Sequence, residues 1–179
     1  NGTPVTDPAQ FFAPPRCAYT PQVPQLFSDS LQSNIRMGIS ATAEQVDEAL
    51  RLAVMEDDVP HLQAGLNTLI GAKGVKLSGG QRQRTAAARM FIRDPELLVF
   101  DDLSSALDVE TENLLWDRTF ARGDRTTLVV SHRRPALERA DRIILLKDGG
   151  IEGVGTLPEL LAQHEEMQSL WGGGFEAKA

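Results

Sequence analysis

Four consecutive apolar residues, Leu97, Leu98, Val99 and Phe100, run directly into two carboxylates, Asp101 and Asp102. An apolar run this short, with no polar alternation, predicts a strand covered on both faces, and such strands belong to the interior of parallel sheets. The flanking sequence agrees. A helix is predicted from about Gly80 to Arg93, rich in Ala86, Ala87 and Ala88 and stopped by Asp94-Pro95. After the strand come a predicted helix over Val109–Phe120, a strand over Thr126–Val130, a short helix near Pro135–Ala140 and a strand over Arg142–Leu146. Such alternation means an α/β architecture.

Upstream, Pro4, Pro8, Pro14, Pro15, Pro21 and Pro24 punctuate the first segment, leaving room for loops and one strand near Arg16–Thr20. Thr42 and Gln45 form a capping box. Val46, Ala49, Leu50, Ala53 and Val54 follow at helical spacing. Near the other end, Lys147, Asp148, Gly149 and Gly150 predict a hairpin turn. Thr156 and Glu159 cap a last helix, and Gly172, Gly173 and Gly174 form a tail expected to fray. The reading is one compact α/β body with a helical insertion near residues 28–94.

The chain of 179 residues is long enough to bury one core. A net charge of -7 argues against nucleic acid as a partner. No apolar run approaches the roughly 20 residues of a membrane helix. The single cysteine, Cys17, excludes an internal disulfide and is read as packing. With no targeting segment at the amino terminus, a reducing cytoplasmic location is expected.

Candidate chemistry begins at Leu77, Ser78, Gly79, Gly80 and Gln81, where a hydroxyl and two glycines open a helix. Unpaired amides at a helix N-terminus attract anions, and glycine lets a phosphate approach closely. Taken alone, the segment also fits, less well, a glycine turn that merely starts a helix. Asp101 and Asp102 stand where a buried strand meets a polar crevice, a position suited to Mg²⁺ and water. An isolated Asp-Asp is more often a turn or a cap. His132, after the strand ending at Val130, is expected at the same sheet edge, although a lone histidine there is commonly a surface residue.

In order, Gln22, Leu77–Gln81, Asp101-Asp102, Ser105-Ala106-Leu107-Asp108 and His132 resemble the Q-loop, signature, Walker B, D-loop and H-loop of ATP-binding cassette (ABC) ATPases. The resemblance covers nearly the whole chain. It implies a P-loop NTPase-type parallel core, truncated at its N-terminus, in which residues 28–94 form the helical subdomain and residues 95–179 part of the RecA-like core. It implies that Asp101 and Gln22 hold Mg²⁺, that Asp102 is the catalytic carboxylate, and that His132 touches the ATP γ-phosphate. Leu77, Ser78, Gly79, Gly80 and Gln81 would close over ATP held by a second cassette, and Ser105, Ala106, Leu107 and Asp108 would line the dimer seam. The implied partners are a transmembrane domain and a second cassette, at the cytoplasmic face of a membrane.

Two departures accompany the resemblance. The phosphate-binding G-x-x-x-x-G-K-[ST] loop is missing, and Asn1-Gly2 resembles a hairpin downstream of it, so the expectation is a truncated chain that by itself neither binds ATP tightly nor hydrolyses it. At position 102 aspartate stands where the family usually has glutamate, which implies a slow site, a competent partner subunit or a compensating backbone. A non-hydrolysing module that donates Ser78–Gln81 in trans is the alternative. The chain has no heptad run of the chromosome ATPases, and Arg133 after His132 differs from the ribosome-associated group. The stretch from Tyr19 to Ile35, with Leu26, Phe27 and Ser28, looks most like exporters; Gly71 to Gly74 lacks the glutamate exporters commonly carry, so export is favoured without being fixed. Leu26, Phe27 and Leu31 fit plain core as well. His61, His164, Trp116 and Trp171 read as surface or packing residues, and Arg82, Arg84, Arg89 and Arg93 as a solvated helix face.

Overall fold

A computed structural model describes residues 4–71, 76–121, 123 and 125–173. Asn1, Gly2, Ala72, Lys73, Gly74 and Gly174 lie outside the described residues. The chain divides into two compact units, Asn1–Val130 and Ser131–Ala179.

The first unit is built on a parallel sheet in the order β1 (Cys17–Thr20), β2 (Leu97–Asp101), β3 (Thr126–Val130). The apolar run takes the central position. Its register sets Tyr19 beside Val99 and Leu128, and Thr20 beside Phe100 and Val129. Leu98 and Phe100 are buried with Ala18 and Thr20. Phe100 meets Phe91 of α4 (Gly79–Phe91) at 6.2 Å between ring centroids and Trp116 of α5 (Val109–Phe120) at 5.3 Å. Trp116 stacks in turn on Phe120 and is wholly buried.

Burial on both faces of β2 is the one expectation for this strand that the structure corrects. Among the described residues only one face is covered, because α4 and α5 lie on the Leu98 and Phe100 side, while Tyr19, Leu128 and Val130 are more than half exposed. An unbroken apolar run reports that a strand lacks polar residues. It does not report which neighbours cover it.

The described elements between β1 and β2 are helical. Besides α1 (Pro8–Phe11), which precedes β1, they are α2 (Leu31–Arg36), α3 (Ala43–Leu52), 3-10 turns at Val59–His61 and Gly65–Asn67, and α4. The Thr42–Gln45 capping box is formed, and Val46, Ala49, Leu50 and Leu52 of α3 are buried. Helix α2 has only six residues, too few to show a period, and Ser30 caps it by accepting from the Ser33 amide. Helix α4 ends at Phe91, two residues before the predicted Arg93, and Asp94 turns the chain with a φ of 48°.

The second unit holds α6 (Arg134–Arg139), an antiparallel pair β4 (Ile143–Lys147) and β5 (Gly150–Gly155), α7 (Leu157–Gln163) and α8 (Glu165–Trp171). The turn joins β4 to β5 as predicted, with positive φ at Asp148 and Gly149. Leu137, Ile143, Leu145, Leu160 and Met167 make its core. The single last helix of the sequence reading is two, because His164 takes extended dihedrals between them.

Candidate functional site

Where β1 and β2 end, two pairs of polar side chains meet. Tyr19 donates its phenolic hydroxyl to Asp101 Oδ2 at 3.0 Å, and Gln22 Nε2 donates to Asp102 Oδ2 at 3.1 Å. The Asp102 amide donates to Val130 O of β3 at 2.9 Å, so three strands fix the position of this residue. Its φ of 47° is left-handed, a conformation that aspartate adopts more readily than most residues. The Asp102 Oδ1 atom is buried and has no hydrogen-bond partner among the described residues. The Tyr19 phenol is pushed above its ordinary value by the hydrogen bond it donates to Asp101, then by burial and by the charge of the same carboxylate.

A second polar cluster surrounds the start of α4. Ser78 Oγ accepts from the Gln81 amide at 3.1 Å while Gln81 Oε1 accepts from the Ser78 amide at 3.0 Å, a closed capping box. Gln81 Nε2 reaches on to Asp58 Oδ1 at 2.9 Å. Leu77 is buried; Gly79 and Gly80 are half-buried against Ala106. The turn from Leu103 to Asp108 therefore lies directly on the N-terminus of α4. Asp108 caps α5 by accepting from the Thr111 amide and hydroxyl, and these bonds hold its carboxyl below the usual range.

The sequence profile of ABC transporters matches residues 1–105. The chain belongs to the ABC transporter family. A putative multidrug export ATP-binding/permease protein of Staphylococcus aureus is 40% identical over 148 residues, covering 82% of this chain and 26% of the relative. The ABC transporter ATM1 of Toxoplasma gondii is 43% identical over 155 residues, covering 84% of this chain and 14% of that protein. Among solved structures, a bacterial Atm1-family ABC exporter with ATP bound superposes with a TM-score of 0.82 at 33% identity, over 89% of this chain and 29% of the other. The ABC chain thus spans less than a third of each of these proteins.

In this ABC transporter chain the structure pairs Gln22 with Asp102 and Tyr19 with the neighbouring Asp101, and separately places Gly79 and Gly80 beside Ala106 and Leu107. His132 is exposed and belongs to the second unit. The side chains that hold these groups escaped the sequence reading. Tyr19 carried a signal, since strand alternation opposes it to Ala18 and Thr20, which are buried. Asp58 and Gln83 carried none, because their partners are remote in sequence.

Arg82, Arg84, Arg89 and Arg93 do not form the expected solvated face. Only Arg82 is exposed. Arg84 bonds to Asp58 and the Val54 carbonyl, Arg89 to the Asn34 and Gln25 carbonyls, and Arg93 to the Arg89 carbonyl. Burial, aided by the Arg93 charge, pushes Arg89 below its ordinary value. Arg84 and Arg89 tie α4 to the segments before it, because their half-buried guanidinium groups find carbonyl and carboxylate oxygens in place of water. Of the possible core residues after the Q-loop, Leu31 is buried and Phe27 is exposed. Phe27 borders a shallow cavity of about 540 Å³, shared with Asp29, Arg36 and Met37.

Proposed function

We propose that this chain is part of the ATP-binding domain of an ABC exporter, coupling ATP binding and hydrolysis to transport at the cytoplasmic face of a membrane. The observation that supports the reading is the pairing of Gln22 with Asp102, next to Asp101, at the C-terminal edge of a parallel sheet, where α/β proteins bind ligands. Among the described residues no three His, Cys, Asp or Glu side chains gather into a metal cage. Mg²⁺ needs none in such a site, since it takes one or two carboxylates, substrate phosphates and water. The buried, unpartnered Asp102 Oδ1 supplies an acceptor that fits a bound water.

In this reading Asp101 and Gln22 hold Mg²⁺, which neutralises charge on the ATP phosphates. Asp102 orients the attacking water, and His132 contacts the γ-phosphate. Leu77, Ser78, Gly79, Gly80 and Gln81 close over ATP on a second cassette, homologous or identical, and Ser105 to Asp108 line the seam between the two. The domain organisation is a helical subdomain near residues 28–94 followed by part of the RecA-like core. The surface around Phe27 receives the transmembrane domain; the relatives' names, which pair ATP-binding with permease, support this partner.

The sequence contains no G-x-x-x-x-G-K-[ST] loop, so these 179 residues alone neither bind ATP tightly nor hydrolyse it. Calorimetric titration with ATP and Mg²⁺, beside a phosphate-release assay, tests this: silence in both is expected, and micromolar binding would overturn it. In the complete exporter, Asp101→Asn should abolish hydrolysis; retained turnover would defeat the functional reading. Asp102, one methylene shorter than glutamate, favours a second reading, a non-hydrolysing module that lends Ser78–Gln81 to a partner. That reading requires the chain to raise the ATP affinity of a cassette that has the loop, and fails if saturating chain has no effect.

A further inference from the structure

Arg84 holds the turn that follows α3 against α4. It donates to the Val54 carbonyl and to Asp58 Oδ2, and its second terminal nitrogen reaches Asp58 Oδ1 at 3.4 Å. Val54 has a φ of 56°, a left-handed conformation that a β-branched residue seldom takes, and Asp58 donates its own amide to Met55 O at 3.1 Å. The Asp58 carboxylate is thereby fixed in place, its side chain only 18% exposed. From there Oδ1 accepts from Gln81 Nε2 at 2.9 Å.

That bond decides which way round the Gln81 side chain stands. A carboxylate can only accept, so it selects the NH₂ end of the amide and leaves Oε1 for the Ser78 amide, which donates to it at 3.0 Å. The Gln81 amide in turn donates to Ser78 Oγ, so both side chains of the turn are held. The first amides of a helix have no partner within it, and the turn presents those of Gly79 and Gly80 beside the Ser78 hydroxyl. Pairing with Arg84 offsets the charge of Asp58, which alone would oppose an anion there.

We propose that Asp58 is a positioning residue for the Ser78–Gln81 turn. By holding Gln81 Nε2 it fixes the side-chain amide in the one orientation that closes the capping box, and so sets the turn in its anion-binding shape before a nucleotide arrives. The inference rests on the functional reading above, in which this turn closes over ATP on a second cassette. A preformed turn avoids an ordering cost at binding, so its loss should appear in the ATP dependence more than in turnover. Asparagine at this position keeps an acceptor oxygen for Gln81 and gives up the charge that Arg84 meets; alanine gives up both. The two replacements separate the orienting of Gln81 from the pairing with Arg84.

Hydrogen exchange in the 179-residue chain tests the contact. Asp58→Ala should speed exchange at the Ser78 amide about tenfold, the scale of one hydrogen bond to a charged group. Asp58→Asn should stay close to the parent, and Ala88, deeper in α4, should keep its protection in both. Unchanged exchange in Asp58→Ala overturns the positioning role, and so does equal acceleration in Asp58→Asn, which would mean that Asp58 serves Arg84. In the complete protein, the ATP concentration for half-maximal phosphate release should rise about tenfold in Asp58→Ala and little in Asp58→Asn, with turnover at saturating ATP changed less. A fall in turnover at an unaltered half-maximal concentration contradicts the inference. In a Gln81→Ala background Asp58→Ala should add nothing, because its effect passes through Gln81; an undiminished effect there overturns the inference as well. A complete parent protein that releases no phosphate counts against the functional reading, and the exchange result then judges the contact by itself.

Discussion

At the scale of single residues, Tyr19 reports on Asp101. It is the only tyrosine in the chain, so its phenolate absorbance can be followed without interference from another. The neutral phenol donates to the carboxylate, so its folded value lies above the ordinary phenol range. The stabilisation is therefore complete below that range and is lost as the pH rises through the raised folded value. Asp101→Asn should bring the titration down toward the ordinary value, and Mg²⁺ bound at Asp101 should do the same by competing for the oxygen. A titration indifferent to Asp101→Asn would mean that the two side chains do not interact in solution. Asp102 yields a second expectation. Asp102→Glu extends the carboxylate by about 1.5 Å, and a displacement of ~1 Å can change rates on the order of a hundredfold. On the function proposed above, phosphate release by the complete protein should rise tenfold or more. The left-handed backbone at this position resists the change slightly, since glutamate lacks the short side chain that eases such a φ. Unchanged turnover would show that the backbone already compensates. The two carboxylates were legible because they follow directly on an apolar strand, and Gln22 only through the resemblance to ABC ATPases; the structure pairs Gln22 with Asp102. Tyr19, Asp58 and Gln83 were not, because each gains its meaning from a partner 22 or more positions away.

At the scale of elements, local chemistry was the most readable part of the chain. The capping box read at Thr42 formed, Glu159 accepts from the Thr156 amide and hydroxyl, and Ser78 and Gln81 close a further box, since each arrangement needs only residues three apart. Helix α2 and the break at His164 were hidden, one being too short for a period and the other lying within a sequence of good helix formers. The start of α4 shows how tertiary contact reverses a propensity. Alanine in place of a helical glycine ordinarily gains roughly 1 kcal/mol. At Gly80 the new methyl would stand 3.0 Å from the Ala106 carbonyl oxygen, a backbone atom that cannot rotate away. Overpacking of this kind costs about 1–3 kcal/mol and should prevail. Gly80→Ala is therefore expected to lower the urea midpoint, whereas Ser78→Ala, which opens the capping box, should cost ~1 kcal/mol. A Gly80→Ala chain more stable than the parent would mean that the Ala106 loop yields.

At the scale of the whole chain, what sequence could not convey is which surfaces meet. The apolar run of β2 implied two covered faces, and among the described residues Leu98 and Phe100 face a core while the register aligns Tyr19, Val99 and Leu128 on the other side. Tyr19 at 56%, Leu128 at 52% and Val130 at 56% exposure make that side apolar and open. The second unit has its own exposed apolar set, Ile144, Leu146, Ile151 and Val154 on the β4–β5 pair. Contiguous apolar surface of this kind marks an interaction site or an aggregation liability. The 179-residue chain should accordingly bind a hydrophobic dye and self-associate as its concentration rises. β3 is an edge strand of the described sheet, and lysine on an edge discourages pairing with another chain. Leu128→Lys combined with Val130→Lys should reduce dye binding and shift sedimentation toward the monomer. The melting transition should stay cooperative, because neither side chain belongs to the Leu98 and Phe100 core. If the double variant associates as strongly as the parent, the β4–β5 surface carries the contact, and lysine at Ile144 and Leu146 should then relieve it.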